Sequence, residues 1–294
     1  MQTWILLAIT YPFLYAFVNV IDKFLLEKKI KNFYSYSIIT GMVWLASSII
    51  TWAIVGMPKL GPKVIFIGIL AGVAYGIIFL MYFHLLTYAE VSRVIGMGYL
   101  YAAFVAVYAR IFLGEMLSAI KYGAIALAIL GTILLGMQRI KQKWRLGHLF
   151  WFMILYAIIL AIVDVSDKYL LGYLTYWQTY AFFTLPLSIV LMLPAFSKKA
   201  RKDLPNTMRN WVAILIVQIL GIVGTFIFLK AASLAPIAIV SGLGTLQPMF
   251  VFLIMLLLSL FTPKLLKEVI TPGAIAYKIL GIAGVVIGAI ILSL

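Results

Sequence analysis

Ten stretches of about 20 mostly apolar residues, parted by short breaks of Gly, Pro or charge, take up almost the whole chain. They run over 3–26, 34–56, 63–87, 91–113, 119–138, 149–171, 175–196, 211–232, 236–260 and 276–293. A helix needs about that length to cross the hydrocarbon of a bilayer. An isolated strand there would leave its edge groups without partners. A soluble fold cannot absorb ten such runs. The chain is 65% hydrophobic and 11% charged, against about 45–50% and about 25% in soluble domains, so too little charge is left to cover a water-facing surface. This excludes a soluble enzyme, a disordered chain and a coiled coil. It predicts an all-α integral membrane protein with ten transmembrane helices. The first run lacks a basic start and ends in Asp22-Lys23, so it reads as a span and not as a cleaved signal peptide.

The net charge of +15 would suggest nucleic acid in a soluble protein. Here the basic residues cluster between the runs, where the predicted partners are lipid headgroups and no nucleic acid is expected. Fifteen lie in the loops after the odd-numbered runs: Lys28, Lys29, Lys31, Arg93, Arg139, Lys141, Lys143, Arg145, Lys198, Lys199, Arg201, Lys202, Arg209, Lys264 and Lys267. Three lie opposite: Lys59, Lys63 and Lys121. The positive-inside rule makes the first face cytoplasmic in a plasma membrane and puts both termini outside.

The sequence repeats itself. Ala16–Leu26 and Ala161–Leu171 share A-x-V-[N/D]-V-x-D-K-x-L-L at an offset of 145. Gly96-Met97-Gly98-Tyr99-Leu100 matches Gly242-Leu243-Gly244-Thr245-Leu246 at an offset of 146, which also sets His84 opposite Lys230 and Ala89 opposite Ala235. The offsets predict two units of five spans, 1–140 and 149–294, within one membrane domain. An odd number of crossings inverts the second unit, the arrangement of many secondary transporters with a site at the unit interface.

Ten spans in two fives, a Lys late in the first span of each, Leu113-Gly114-Glu115 before a Gly/Ala-rich fifth span, and Leu246-Gln247-Pro248-Met249-Phe250 in the ninth resemble the EamA-type members of the drug/metabolite transporter superfamily. The chain departs from that pattern at Ala102, where proline is usual, in the missing Gly-Glu pair of the second unit, and in an insertion around 262–272. The resemblance implies movement of small metabolites, amino acids included, through a central cavity lined by spans 1, 3, 4, 6, 8 and 9. It also implies cytoplasmic termini, against the charge count.

Polar groups inside spans carry the functional reading, since a charge at the bilayer centre costs about 2.5–3.5 kcal/mol on insertion scales. Asn19, Asp22 and Lys23 near one end of span 1, and Asp164, Asp167 and Lys168 near the opposite end of span 6, are candidate gates or coupling residues at two mouths of one cavity. The competing reading has the lysines snorkel to headgroups while the aspartates neutralise them locally. His84 and Lys230 are a second matched pair. A histidine titrates near neutral pH, and Lys230 is placed to neutralise an aspartate of span 6 or bind an anionic group. Proton coupling is permitted but not required. Glu90 and Arg93 read as an interfacial pair, and Arg110 as snorkelling.

Near mid-membrane, Gly96, Gly98, Gly242 and Gly244 allow close packing or local unwinding. Tyr75, Tyr99, Tyr101, Ser241, Thr245 and Gln247 add polar tips to an aromatic, largely neutral pocket, with Gly72 and Gly76 extending it and Pro248 kinking span 9. Gly221 and Gly224 read as packing. Trp4, Trp44, Trp52, Trp144, Trp151 and Trp211 read as interfacial anchors. His84 and His148 lack partners at ligand spacing, so no metal is expected. No nucleotide-binding or hydrolase motif occurs, no cofactor is implied, and catalysis is not expected. The sequence thus predicts a secondary transporter for an amino acid or similar amphipathic solute. A flippase for a lipid-linked substrate and a non-transporting scaffold or enzyme are the alternatives. Monomer and homodimer are equally compatible with it.

Overall fold

The structure, a computed structural model, describes residues 3–30, 32–89, 91–136, 148–261 and 272–294. Every regular element among them is helical. In chain order they are α1 (Thr3–Phe24), continued by a π-helical turn (Leu25–Lys29), α2 (Phe33–Val55), α3 (Pro62–Tyr88), α4 (Val91–Gly98), α5 (Tyr101–Leu113), α6 (Ala119–Gly136), α7 (His148–Leu170), α8 (Tyr176–Met192), α9 (Lys198–Met208), α10 (Trp211–Leu234), α11 (Ile237–Gly244), α12 (Leu246–Phe261) and α13 (Pro272–Ser293).

Local chemistry sets these boundaries. Asn32 opens α2 by accepting from the Tyr34 amide at 3.0 Å. Thr175 and Gln178 open α8 with a reciprocal capping box. Gly61-Pro62 opens α3, where the missing proline amide costs nothing. Gly114 closes α5 at φ +69°, a left-handed conformation that a side chain would strain.

Among the described residues, seven helical stretches are long and apolar enough to cross a membrane: Thr3–Lys29, Phe33–Val55, Pro62–Tyr88, Val94–Leu113, Tyr176–Phe196, Trp211–Leu234 and Ile237–Phe261. Two of them are broken. The fourth apolar run divides at Tyr99-Leu100, where amides turn to carbonyls three residues back, as Ala102 does to Tyr99 at 3.2 Å. The ninth divides at Thr245, whose amide meets Gly242 O at 3.2 Å. Pro248 has no amide to give the carbonyl of Gly244 four residues back, which frees the second break. The first forms without a proline, so Ala102 does not abolish it.

Helices from the first part of the chain pack mainly against helices from the second. α1 lies on α10 and α12, α2 on α8, α3 on α8 and α7, and α6 on α13. Glycines permit two of the closest approaches. A Cβ at Gly72 would run into the Phe183 carbonyl and Pro186 of α8, and one at Gly131 would lie 2.6 Å from Gly281 O of α13. Gly72 and Gly76 therefore serve the α3–α8 contact and do not open the pocket, contrary to expectation. Outward faces are apolar, with Leu6, Ile50, Phe66, Phe112 and Leu257 all more than half exposed.

The basic stretch after α8 folds as the surface helix α9, where no helix was expected. Lys198, Lys199, Arg201 and Lys202 are exposed. Its other side docks on the start of α2: Asp203 accepts from Asn32 at 3.0 Å, and the hydroxyls of Thr207 and Ser35 meet at 2.7 Å. The basic residues 139–145, 264 and 267, together with Lys31, Glu90 and Trp144, lie outside the described residues, and the Glu90–Arg93 pair with them.

Candidate functional site

A cavity of about 130 Å³ lies at the centre of the bundle. It is close in size to the ~150 Å³ hole that accommodates benzene in an engineered protein. α1 supplies Tyr11, Tyr15, Asn19 and Asp22; α3 supplies Tyr75, Phe79 and Tyr82; the first helix break supplies Gly98, Tyr99 and Tyr101. Across from them stand Tyr156 and Asp164 of α7, Gln218, Gly221 and Phe228 of α10, and Gln247 of α12, with Trp44 of α2 completing the wall.

One hydrogen-bonded chain runs through five helices and the first break. Trp44 donates to Gln218 at 2.9 Å, Gln218 to the Tyr36 hydroxyl at 3.2 Å, and Tyr36 to Asp22. From the other side Tyr99 donates to Gln247, Gln247 to Asn19, Asn19 to Tyr82 at 2.8 Å, and Tyr82 to Asp22 at 3.3 Å. Every donor on both arms points towards Asp22, which is 1% exposed. A buried carboxylate is tolerated only when its oxygens are satisfied, and here both are.

Asp164 sits elsewhere in the wall. It accepts from Ser241 of α11 at 2.7 Å, and the Tyr101 hydroxyl lies beside it. Tyr11 donates to Val240 O at 3.0 Å. Thr225 gives its proton to Gly221 O at 3.0 Å, so Tyr15 donates to Thr225 at 2.8 Å.

The Asp-Lys repeat has matched geometry. Lys23 Nζ donates to the carbonyls of Leu86 and Ala89 at 2.8 and 3.0 Å, at the end of α3. Lys168 Nζ donates to those of Ala232 and Ala235 at 2.6 and 2.8 Å, at the end of α10. The acceptors lie 146 positions apart, and the donors 145. Each lysine holds the negative end of a helix dipole. Lys23 also pairs with Glu27 at 3.3 Å, and Glu27 with Lys28 at 2.9 Å.

The aspartates do not match. Asp22 bonds Tyr82, whereas the residue 146 positions after Tyr82 is Phe228, which has no hydroxyl. Asp167 is 2% exposed, and its Oδ1 has no partner among the described residues. Thr179 Oγ1, in the first turn of α8, is likewise buried without one.

Of the anticipated residues, Asn19, Asp22, Tyr75, Gly98, Tyr99, Tyr101, Asp164 and Gln247 line the cavity. Ser241 stands behind Asp164, and Gly244 lies against Tyr99 and Tyr101. Gly96 is buried in α4, Gly242 packs on Leu292 and Ile125, and Thr245 bonds Gly242 O at 2.7 Å, so these three sit outside the lining. Lys23 and Lys168 turn to helix ends. His84 is exposed on the outer face between Phe33 and Tyr88, because α3 presents the adjacent Phe83 inward. Lys230 lies over the Tyr176 ring at 4.8 Å and forms no ion pair with an aspartate of α7 among the described residues.

Other residues of the site escaped the sequence reading. Trp44 is 1% exposed and buried in the network, not an interfacial anchor. Gly221 lines the cavity. Tyr11, Tyr15, Tyr36, Tyr82, Tyr156 and Gln218 were not singled out. Glu115 caps α11 from a distant part of the chain, its carboxylate accepting from the Ile237 and Ala238 amides at 2.9 and 3.3 Å.

Residues 2–137 match the model of the EamA-like transporter family. No curated protein matches the sequence. Among solved structures, a protein crystal structure at 15% identity superposes over 100% of this chain and 99% of its own with a TM-score of 0.71, which shows a shared fold. With seven helices able to span a bilayer, the chain is a multi-pass membrane protein whose residues 2–137 belong to the EamA-like transporter family of the drug/metabolite transporter superfamily.

Proposed function

We propose that this protein is a secondary transporter that carries a small solute through the central cavity by alternating access. On this reading ten spans form two inverted five-span units, 1–140 and 149–294, and the basic loops face the cytoplasm of a plasma membrane. The carrying observation is the cavity itself, walled by α1, α3 and the first break on one side and by α7, α10 and α12 on the other. The equivalent lysine caps on α3 and α10 support the inversion, since an inverted repeat would set one copy of the element towards each face. Gating then falls to the helix ends that Lys23 and Lys168 hold. The broken helices beside the cavity provide backbone able to shift without melting a span.

The test is flux. Purified full-length protein in sealed liposomes is loaded with labelled amino acids, amines, nucleobases and sugars, under imposed ion gradients of both signs. Saturable flux of at least one solute, lost when Tyr99 and Gln247 are replaced by Phe and Ala, is the expected result. Protein that moves no solute under any gradient while still folded would overturn the proposal. Gradient-independent lipid scrambling would reassign the protein as a flippase.

A further inference from the structure

Among the described residues, the cavity wall holds two carboxyl groups and no basic side chain. Asp22 and Asp164 both line it, and neither forms an ion pair among the described residues. No Lys, Arg or His stands among the described residues of the lining. The basic groups nearest in sequence are committed elsewhere, Lys23 and Lys168 to backbone carbonyls. The sequence suggested a largely neutral pocket; the structure lines it with two acidic side chains that have no basic partner among the described residues.

The polar groups lean the same way. The indole of Trp44 and the amides of Gln218, Gln247 and Asn19 donate along the chain that ends at Asp22. That chain aims its donors at a carboxylate of the protein, away from any carboxylate on a solute. Around the rest of the space stand the rings of Tyr11, Tyr15, Tyr75, Tyr156 and Phe228. Aromatic faces attract a cation, most strongly when it has left water.

Resting on the transporter reading above, we propose that the cavity selects a solute with one positive charge and no carboxylate: an ammonium group on a small aromatic or alkyl body. Asp164 is the anchor. Tyr36 and Tyr82, each backed by a further donor, already take both oxygens of Asp22, while Asp164 accepts from Ser241 with the Tyr101 hydroxyl beside it. Asp22 adds its field from the far side. The cavity of about 130 Å³ limits the body to about one ring. A zwitterionic amino acid satisfies Asp164 with its ammonium but brings a carboxylate into a space with no basic residue to receive it.

The probes share one ring: phenethylamine and benzyltrimethylammonium as cations, phenylalanine as zwitterion, 3-phenylpropionate as anion, and benzyl alcohol as neutral control. Binding to full-length protein in detergent is read by Trp fluorescence, since Trp44 lines the site, and flux is read in liposomes. Both cations are expected to bind at least tenfold more tightly than the other three. Asp164→Asn, which keeps shape and loses charge, should weaken the cations at least tenfold and leave benzyl alcohol unchanged. Ser241→Ala, a smaller edit that keeps the carboxylate, should weaken them less. Equal or tighter binding of phenylalanine overturns the proposal, as does cation binding that survives folded Asp164→Asn. Flux of a neutral or zwitterionic solute without binding of either cation overturns it and leaves the transporter standing. Cation binding with no flux of any solute supports the site and overturns the transporter. Absence of both removes both.

Discussion

Tyr82→Phe and Phe228→Tyr are opposite edits of one repeated position, and they should move stability in opposite directions. The Tyr82 hydroxyl accepts from Asn19 at 2.8 Å and donates to Asp22 at 3.3 Å. Its removal leaves an amide donor and one oxygen of a buried carboxylate without partners. Interhelical hydrogen bonds in membrane proteins average about 0.6 kcal/mol and reach about 1.7. Two of them, one to a carboxylate, come to about 2 kcal/mol, or a melting temperature lower by about 3–6 °C for a chain of this size. Phe228 is as buried as Tyr82, each being 7% exposed. A hydroxyl there would approach the Asp167 oxygen that lacks a partner, for a gain of about 1 kcal/mol and a rise of about 1.5–3 °C. Thermal unfolding of the purified variants in one detergent, followed by loss of the monodisperse gel-filtration peak, measures both. A Phe228→Tyr protein that melts with or below the parent, while Tyr82→Phe melts low, would show that position 228 does not look onto Asp167. The matched geometry of α1 with α3 and of α7 with α10 would then fail as a guide.

Gly288→Val should destabilise by about 1–3 kcal/mol through overpacking, because a Cβ there lies 2.7 Å from Ala124 O and 2.8 Å from Ala128 Cβ. Gly123→Ala, with nothing within 4 Å, is its neutral control in the same melting assay. Glu115→Ala should expose the Ile237 and Ala238 amides, cost about 1 kcal/mol as a lost cap does, and speed hydrogen exchange at those two positions. Lys168→Met should loosen the junction of α10 and α11, seen as faster exchange over 232–238, and Lys23→Met should loosen the end of α3. An Asp22→Asn protein should fold, yet its new side-chain amide meets the hydroxyls that now donate to the carboxylate. Transport is expected to fall at least tenfold while melting shifts by only a few degrees, and normal flux would refute a role for that charge.

What the sequence made legible follows chemical rarity. Asp22, Lys23, Asp164 and Gln247 stand out because a charge or amide inside an apolar run has few cheap explanations, and the repeat multiplied that signal. The 17 tyrosines have no such contrast. Tyr11, Tyr15 and Tyr82 read like any amphipathic ring of a membrane helix, and only the rotation of α1 and α3 turns them inward. Rotation likewise sends His84 outward and Gly72 to α8. The helix breaks were legible only in part: the paired glycines and Pro248 allow unwinding, but the turn at Tyr99-Leu100 has the same apolar composition as its flanks. α9 was missed for the opposite reason: its charge suggested a loop, and its fold depends on Ser35 and Asn32, far away in sequence.

That docking has a mechanical side. Ser35 grips the surface helix, and Tyr36, the next residue, gives its proton to Asp22. One peptide bond thus separates the surface helix's contact from the residue that donates to a buried carboxylate. Any pull on α9 that tilts the first turn of α2 acts as a short lever on the Tyr36 hydroxyl, and on the two amide and indole donors queued behind it.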